Sequence, residues 1–121
     1  MGKKIEKFED LEVWKEGMRL VVDIYQYFRI CTDFNFRNQI QKAAVSIPSN
    51  IAEGFDRQTN KEFIRYLYVA KGSSGELRTQ LYLAIELGYL ERKQGTELID
   101  RTRKVSAMLF KLIKTREEDF H

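Results

Sequence analysis

Histidine, cysteine and proline each occur once in the 121 residues, as His121, Cys31 and Pro48. Each scarcity excludes something. One cysteine permits no intrachain disulfide and no cysteine-based zinc or iron–sulfur centre within one chain, and it fits a reducing compartment. One histidine, at the last position, leaves no Ser-His-Asp arrangement and no multi-histidine metal site. The interior lacks the Glu-x-x-His pairs of di-iron bundles, and no GxxxxGK[ST] loop is present to cradle nucleotide phosphates. No catalytic residues, metal or cofactor are therefore expected. A single proline and seven glycines argue against turn-rich β architectures and collagen-like repeats. No segment reaches the roughly 18 apolar residues of a membrane span. The opening MGKKIEKFEDLEVW has no apolar run of signal-peptide length, and Glu6 stands where N-terminal lipidation requires a hydroxylated residue. The expectation is a cytoplasmic protein with no membrane association.

What is abundant is helical pattern. Hydrophobic residues make up 43% and charged residues 32%, the balance of a folded chain rather than a disordered one. The length predicts a single domain, residues 1–121. A chain of this size buries roughly two-thirds of its unfolded surface without needing a staple. From about Glu9 to Arg29, residues Leu11, Trp14, Met18, Val21, Val22, Tyr25 and Phe28 recur at three- and four-residue steps and predict an inward face. Val13, Leu20, Ile24 and Tyr27 widen that face, so this helix should touch more than one neighbour. Thr32, Asp33 and Asn35 favour a reversal. A second helix follows over about Phe36 to Phe55, with Ile40, Ala43, Ala44, Ile47, Ile51 and Phe55 inward. Pro48 removes a backbone donor and crowds the carbonyl of Ala44, which predicts a kink, and Gly54 suits the helix end.

Thr59 or Asn60 can cap a third helix that runs without a stop signal to Gly88. Phe63, Leu67, Ala70, Ser74, Leu77, Leu81, Ala84 and Gly88 alternate steps of four and three, a seam with small residues at half its positions. The seam passes in register through Lys71-Gly-Ser-Ser-Gly75, so that stretch reads as close helix packing rather than a phosphate loop. Gly88 to Gly95 reads as a connection, with Thr96 capping a fourth helix. That helix turns Leu98, Thr102, Val105, Met108, Leu109 and Leu112 to one side as far as about Lys114, with a fraying acidic tail at residues 117–119. Short connections make neighbours antiparallel, and the predicted fold is an all-α, up-down-up-down four-helix bundle.

The residues that remain divide into three surfaces. Arg101, Arg103, Lys104, Lys111, Lys114 and Arg116 fall within residues 101–116 without one acid. At 100° per residue, Arg103, Lys104, Lys111 and Lys114 form a stripe opposite the apolar face. That ridge either follows phosphates of RNA or DNA by counterion release or is a solvated face near the helix C-terminus. Tyr68, Lys71, Gly75, Arg78 and Tyr82 share an arc of the third helix and suit either base stacking or, preferably, protein contact. A further side holds Tyr66, Val69, Ser73, Glu76, Gln80, Leu83 and Leu87, in which Glu76 and Gln80 satisfy polar groups within an interface more readily than they catalyse. Glu53, Glu76 and Glu86 are lone acids without catalytic partners, and Cys31 has no histidine beside it. The apolar seam, this flank and the aromatic arc together surround most of the third helix, more than one four-helix protomer can cover, which predicts a homo-oligomer.

Three stretches carry a resemblance: FEDLEVWKEGMRLVVDIY, QIQKAAVSIPSNIAEGF and FIRYLYVAKGSSGELRTQLYLAIELGYL. The chain resembles the four-helix-bundle proteins encoded in intervening sequences of bacterial 23S ribosomal RNA genes. These are in turn similar to the accessory variability protein of diversity-generating retroelements, a barrel-shaped homopentamer that binds nucleic acid and a reverse transcriptase. The resemblance implies a bacterial, ring-forming scaffold, with a pentamer favoured, self-association as the first partnership, and RNA, DNA or a protein as further partners. Repetition round a ring would strengthen a weak basic ridge. The expected function is a non-catalytic oligomeric scaffold binding nucleic acid, with a purely protein-binding or structural homo-oligomer as the alternative.

Overall fold

Helical spacing of apolar residues becomes four helices, the second and third of which begin at side-chain caps. In the computed structural model, which describes residues 4–118, a 3-10 turn (Phe8–Asp10) leads into α1 (Glu12–Tyr27), α2 (Phe34–Phe55), α3 (Asn60–Glu86) and α4 (Arg92–Glu118). The described residues contain no strand. The Asp33 carboxylate accepts the Phe36 N–H at 3.1 Å to cap α2, and the Thr59 hydroxyl accepts the Glu62 N–H at 3.1 Å to cap α3. At the other end of α3, Gly88 has φ +78°, and the N–H groups of Gly88 and Tyr89 return to the carbonyls of Ile85 and Ala84. This is the left-handed stop that glycine makes without steric cost.

Each helix packs on the next, and α1 closes the cycle against α4, whereas the backbones of α1 and α3, and of α2 and α4, do not approach closely. Contacts step down one helix as they step up its neighbour. From α2 to α3 they run Gly54 with Phe63, Ser46 with Ser73, and Asp33 with the first residues beyond α3 at Tyr89. From α3 to α4 they run Phe63 with Arg116, Ser74 with Ser106, and Ile85 with Gly95. All neighbours are therefore antiparallel, as short connections require. Phe28, Ile40, Ile47, Leu67, Leu77, Leu81, Leu98, Leu109 and Ile113 form one core together with their buried neighbours. Two of the buried polar residues are bonded within it: Ser74 donates to the Thr102 carbonyl at 2.9 Å and accepts from Ser106, while Thr102 donates to the Ile99 carbonyl. The Gln80 side-chain carbonyl oxygen is buried without a partner among the described residues.

Three expectations change. The buried side of α1 consists of Val13, Gly17, Leu20 and Ile24, with Leu11 and Phe28 at its ends, while Met18, Val22 and Tyr25 are exposed. Gly17 lies within this side, where a Cβ would meet Ile47 and Pro48 of α2 at ordinary contact distance. Helix α4 starts at Arg92 rather than at Thr96. Gly95 is inside the helix and buried, and a Cβ there would overlap the Ile85 side chain, so this glycine permits close packing instead of making a loop. Helix α4 also continues past Lys114 to Glu118, held by the Asn60 amide on the Arg116 carbonyl at 2.9 Å. Asp119 and His121 lie outside the described residues. Pro48 is buried inside α2, whose helical assignment continues through it to Phe55.

Candidate nucleic-acid and assembly surfaces

The basic ridge and the aromatic arc were separate features of the sequence, and antiparallel packing of α3 on α4 makes them neighbours. Arg103 donates to the Tyr82 hydroxyl at 2.9 Å, and Arg78 reaches the Ser106 hydroxyl at 3.4 Å. One face then carries Tyr68, Lys71, Arg78 and Tyr82 from α3 and Arg103, Phe110, Lys111 and Lys114 from α4. Phe110 is 48% exposed amid these cations, with the Lys114 ammonium 5.3 Å from its ring centroid. The apolar pattern of α4 did not announce Phe110, yet its angular position, about 20° from Arg103 round the helix, could have found it.

Acids temper this face. Arg103 also donates to Asp100 at 3.0 Å, Lys114 stands 3.6 Å from Glu117, and Lys104 lies 4.0 Å from Glu16 of α1. Lys111 is exposed and makes no ion pair among the described residues. Arg101 points away from the ridge and pairs with Asp23 of α1. Exposed pairs of this kind are weak, and phosphates can displace the carboxylates.

The residues expected at an oligomer interface divide in two. Val69, Glu76, Leu83 and Leu87 are exposed on the outer side of α3. Ser73 and Gln80 are buried in the α2–α3 seam, where the Ser73 hydroxyl bonds that of Ser46 at 2.8 Å. Tyr66 is half-buried at the α2–α3 corner. Its hydroxyl accepts from Arg57 at 2.6 Å, and the guanidinium of Arg65 lies 5.0 Å from its ring centroid. The hydrogen bond to Tyr66 raises the Arg57 pKa, with Glu53 adding a smaller pull. The sequence pattern did not single out this corner, because Arg57 belongs to a loop with no periodicity to read.

At the opposite end of the bundle, the Tyr89 hydroxyl donates to Asp33 at 2.7 Å and ties the α3–α4 connection to the start of α2. That bond, and then the Phe36 N–H, lower the Asp33 pKa, and the same bond raises that of Tyr89. A cleft of about 700 Å³ beside it is lined by Tyr27, Ile30, Cys31, Tyr89, Leu90 and Gln94, among others. It gathers no catalytic constellation, and no cluster of three or more metal-ligating side chains exists among the described residues. No helix among the described residues is long and apolar enough to cross a membrane.

Comparison with known proteins adds to this geometry. The family model described as 23S rRNA-intervening sequence protein matches residues 9–111. A solved structure from Bacteroides thetaiotaomicron, described as a protein of unknown function from the S23 ribosomal protein family, superposes with a TM-score of 0.79 at 25% identity. The match covers 84% of this chain and 98% of the other. No curated protein matches the sequence.

Proposed function

Because the chain belongs to the 23S rRNA-intervening sequence protein family, we propose that it is a non-catalytic, cytoplasmic scaffold that assembles into a ring of identical copies and binds RNA or DNA. The α3–α4 face makes the phosphate contacts through Arg103, Lys104, Lys111 and Lys114, with Lys71 and Arg78 beside them. One observation carries the reading: the Arg103–Tyr82 hydrogen bond joins cations and an exposed aromatic into a single surface. Cations track a phosphate backbone, and tyrosine and phenylalanine rings accept unpaired bases. Each protomer contributes a modest net charge of +3, and repetition round a ring turns several weak contacts into one strong one.

The rival reading is a structural or protein-binding homo-oligomer. It draws support from the acids close to Arg103, Lys104 and Lys114, which neutralise part of the ridge. Gel retardation over a salt series separates the two. The unmodified protein is expected to shift single-stranded RNA or DNA at low salt, and the Arg103, Lys104, Lys111 and Lys114 to glutamine variant to lose the shift. Unchanged mobility with the unmodified protein at low salt rejects nucleic-acid binding.

A further inference from the structure

Two apolar faces remain open on this protomer, and they lie on opposite sides. Met18, Val22 and Tyr25 form an exposed stripe on α1, flanked by a largely apolar groove lined by Phe8, Trp14, Val21, Val45 and Pro48. Val69 and Leu83 are exposed on the outer side of α3 and Leu87 just past its end, each close to half accessible. Helices α1 and α3 are diagonal in the bundle, and their backbones do not approach closely. Scattered exposed hydrophobics need no explanation, but two such stripes on one small chain do.

We infer that the α1 stripe of one copy packs against the outer side of α3 in the next, so that the contact is head-to-tail and two different surfaces meet. This deepens the homo-oligomer reading and rests on it. A contact between unlike faces on opposite sides of a protomer propagates from copy to copy and closes into a ring when the rotation allows. In a ring whose axis follows the helices, α1 and its neighbour's α3 run parallel, since both point the same way in an antiparallel cycle.

Shape and charge agree on a register. Arg19 is exposed on α1 and Arg29 is exposed just past its end, while Glu76 and Glu86 are exposed on α3; both pairs are ten residues apart in sequence, which for the glutamates is about 15 Å along the helix. Glu76 and Glu86 make no ion pair among the described residues, nor does Arg29, while Arg19 has Glu16 of its own helix at 2.6 Å. Setting Arg19 against Glu76 places Arg29 against Glu86, Met18 against Gly75 and Val22 against Thr79. Bulky side chains then meet small ones. A Cβ at Gly72 or Gly75 would meet nothing within 4 Å in its own chain, so the protomer itself gives no packing reason for either glycine inside a helix. The side of α3 turned toward α4, with Lys71, Arg78 and Tyr82, stays free for nucleic acid.

Light scattering on the full chain tests the pairing. The unmodified protein is expected to be an oligomer at micromolar concentration. Gly75→Leu is expected to dissociate it to protomers while circular dichroism shows undiminished helix. Arg29→Glu and Glu86→Arg are each expected to raise the dissociation concentration roughly tenfold, the double exchange returning it close to the original. An oligomer whose mass and dissociation concentration ignore all of these variants overturns the α1–α3 pairing and leaves self-assembly standing. Unmodified protein that remains a single protomer overturns both.

Discussion

Gly54 and Gly72 both sit inside helices, yet the space around them is opposite. A Cβ on Gly54 would stand 2.5 Å from the Tyr66 Cβ and 3.3 Å from the Phe63 carbonyl oxygen, so α3 backbone would have to move. Gly54→Ala is expected to destabilise the protein by about 1–3 kcal/mol, the usual cost of overpacking. Gly72 has open space, and Gly72→Ala is expected to stabilise the protomer by about 0.5–1 kcal/mol through the backbone entropy that glycine loses in a helix. Urea denaturation at matched low protein concentration measures both. A second residue-scale expectation concerns the Asp33–Tyr89 bond. The lowered Asp33 pKa means its contribution is present above the ordinary value of 3.8 and is lost as pH falls through the folded value. The raised Tyr89 pKa means its contribution is present below the ordinary value of 10.0 and is lost as pH rises through the folded value. Tyr89→Phe should therefore lower the thermal midpoint most between those values, and the gap from the unmodified protein should narrow on both sides. A gap constant across pH would assign the effect of Tyr89 to packing alone.

At the scale of the element, helix boundaries depend on capping chemistry, and Thr59 is the clearest case. Its hydroxyl satisfies one of the unpaired donors at the start of α3, and Thr59→Ala is expected to cost about 1 kcal/mol. Thermal unfolding measures that loss, and Thr59→Ser should recover most of it. The same chemistry made this boundary legible in the sequence, as the seam Phe63, Leu67, Ala70, Ser74, Leu77, Leu81 and Ala84 made the core side of α3 legible. All seven are buried, whereas Gly88, the eighth residue of that seam, is exposed past the end of α3. Helix α1 was less legible because apolar residues cover most of its circumference, and periodicity cannot rank two overlapping stripes. In the fold Val13, Gly17, Leu20 and Ile24 are buried, and Gly17, which reads as a helix-weakening residue, lies against Ile47 and Pro48. Gly95 misled for a related reason: a glycine that admits a neighbouring helix looks, in sequence, like one that makes a turn. The ridge cations were legible as a stripe, and Asp100 and Glu117 stand three residues from Arg103 and Lys114 on the same helix, but Glu16 was not legible, since it reaches Lys104 only through the α1–α4 contact.

For the whole molecule, the two proposed activities rest on different forces, and salt separates them. Assembly through Met18, Val22, Leu83 and Leu87 removes apolar surface from water, which ordinary salt does not weaken. Nucleic-acid binding through the α3–α4 face releases counterions, and the logarithm of its affinity falls with that of salt by about 0.9 for each duplex phosphate neutralised, and somewhat less on single strands. If the four ridge cations of one protomer each meet a phosphate, raising salt from about 50 to about 200 mM should weaken binding roughly a hundredfold. Over the same range the mass measured by light scattering should stay constant, and the thermal midpoint should rise with protein concentration, as it does for any fold stabilised by self-association. Fluorescence anisotropy of a labelled oligonucleotide, followed beside light scattering in one titration, reads both quantities. Affinity and mass falling together would make assembly electrostatic and move the interface away from the apolar stripes. Binding that survives the higher salt undiminished would instead point to stacking on Tyr68, Tyr82 and Phe110, with the ridge cations spent on Asp100, Glu16 and Glu117.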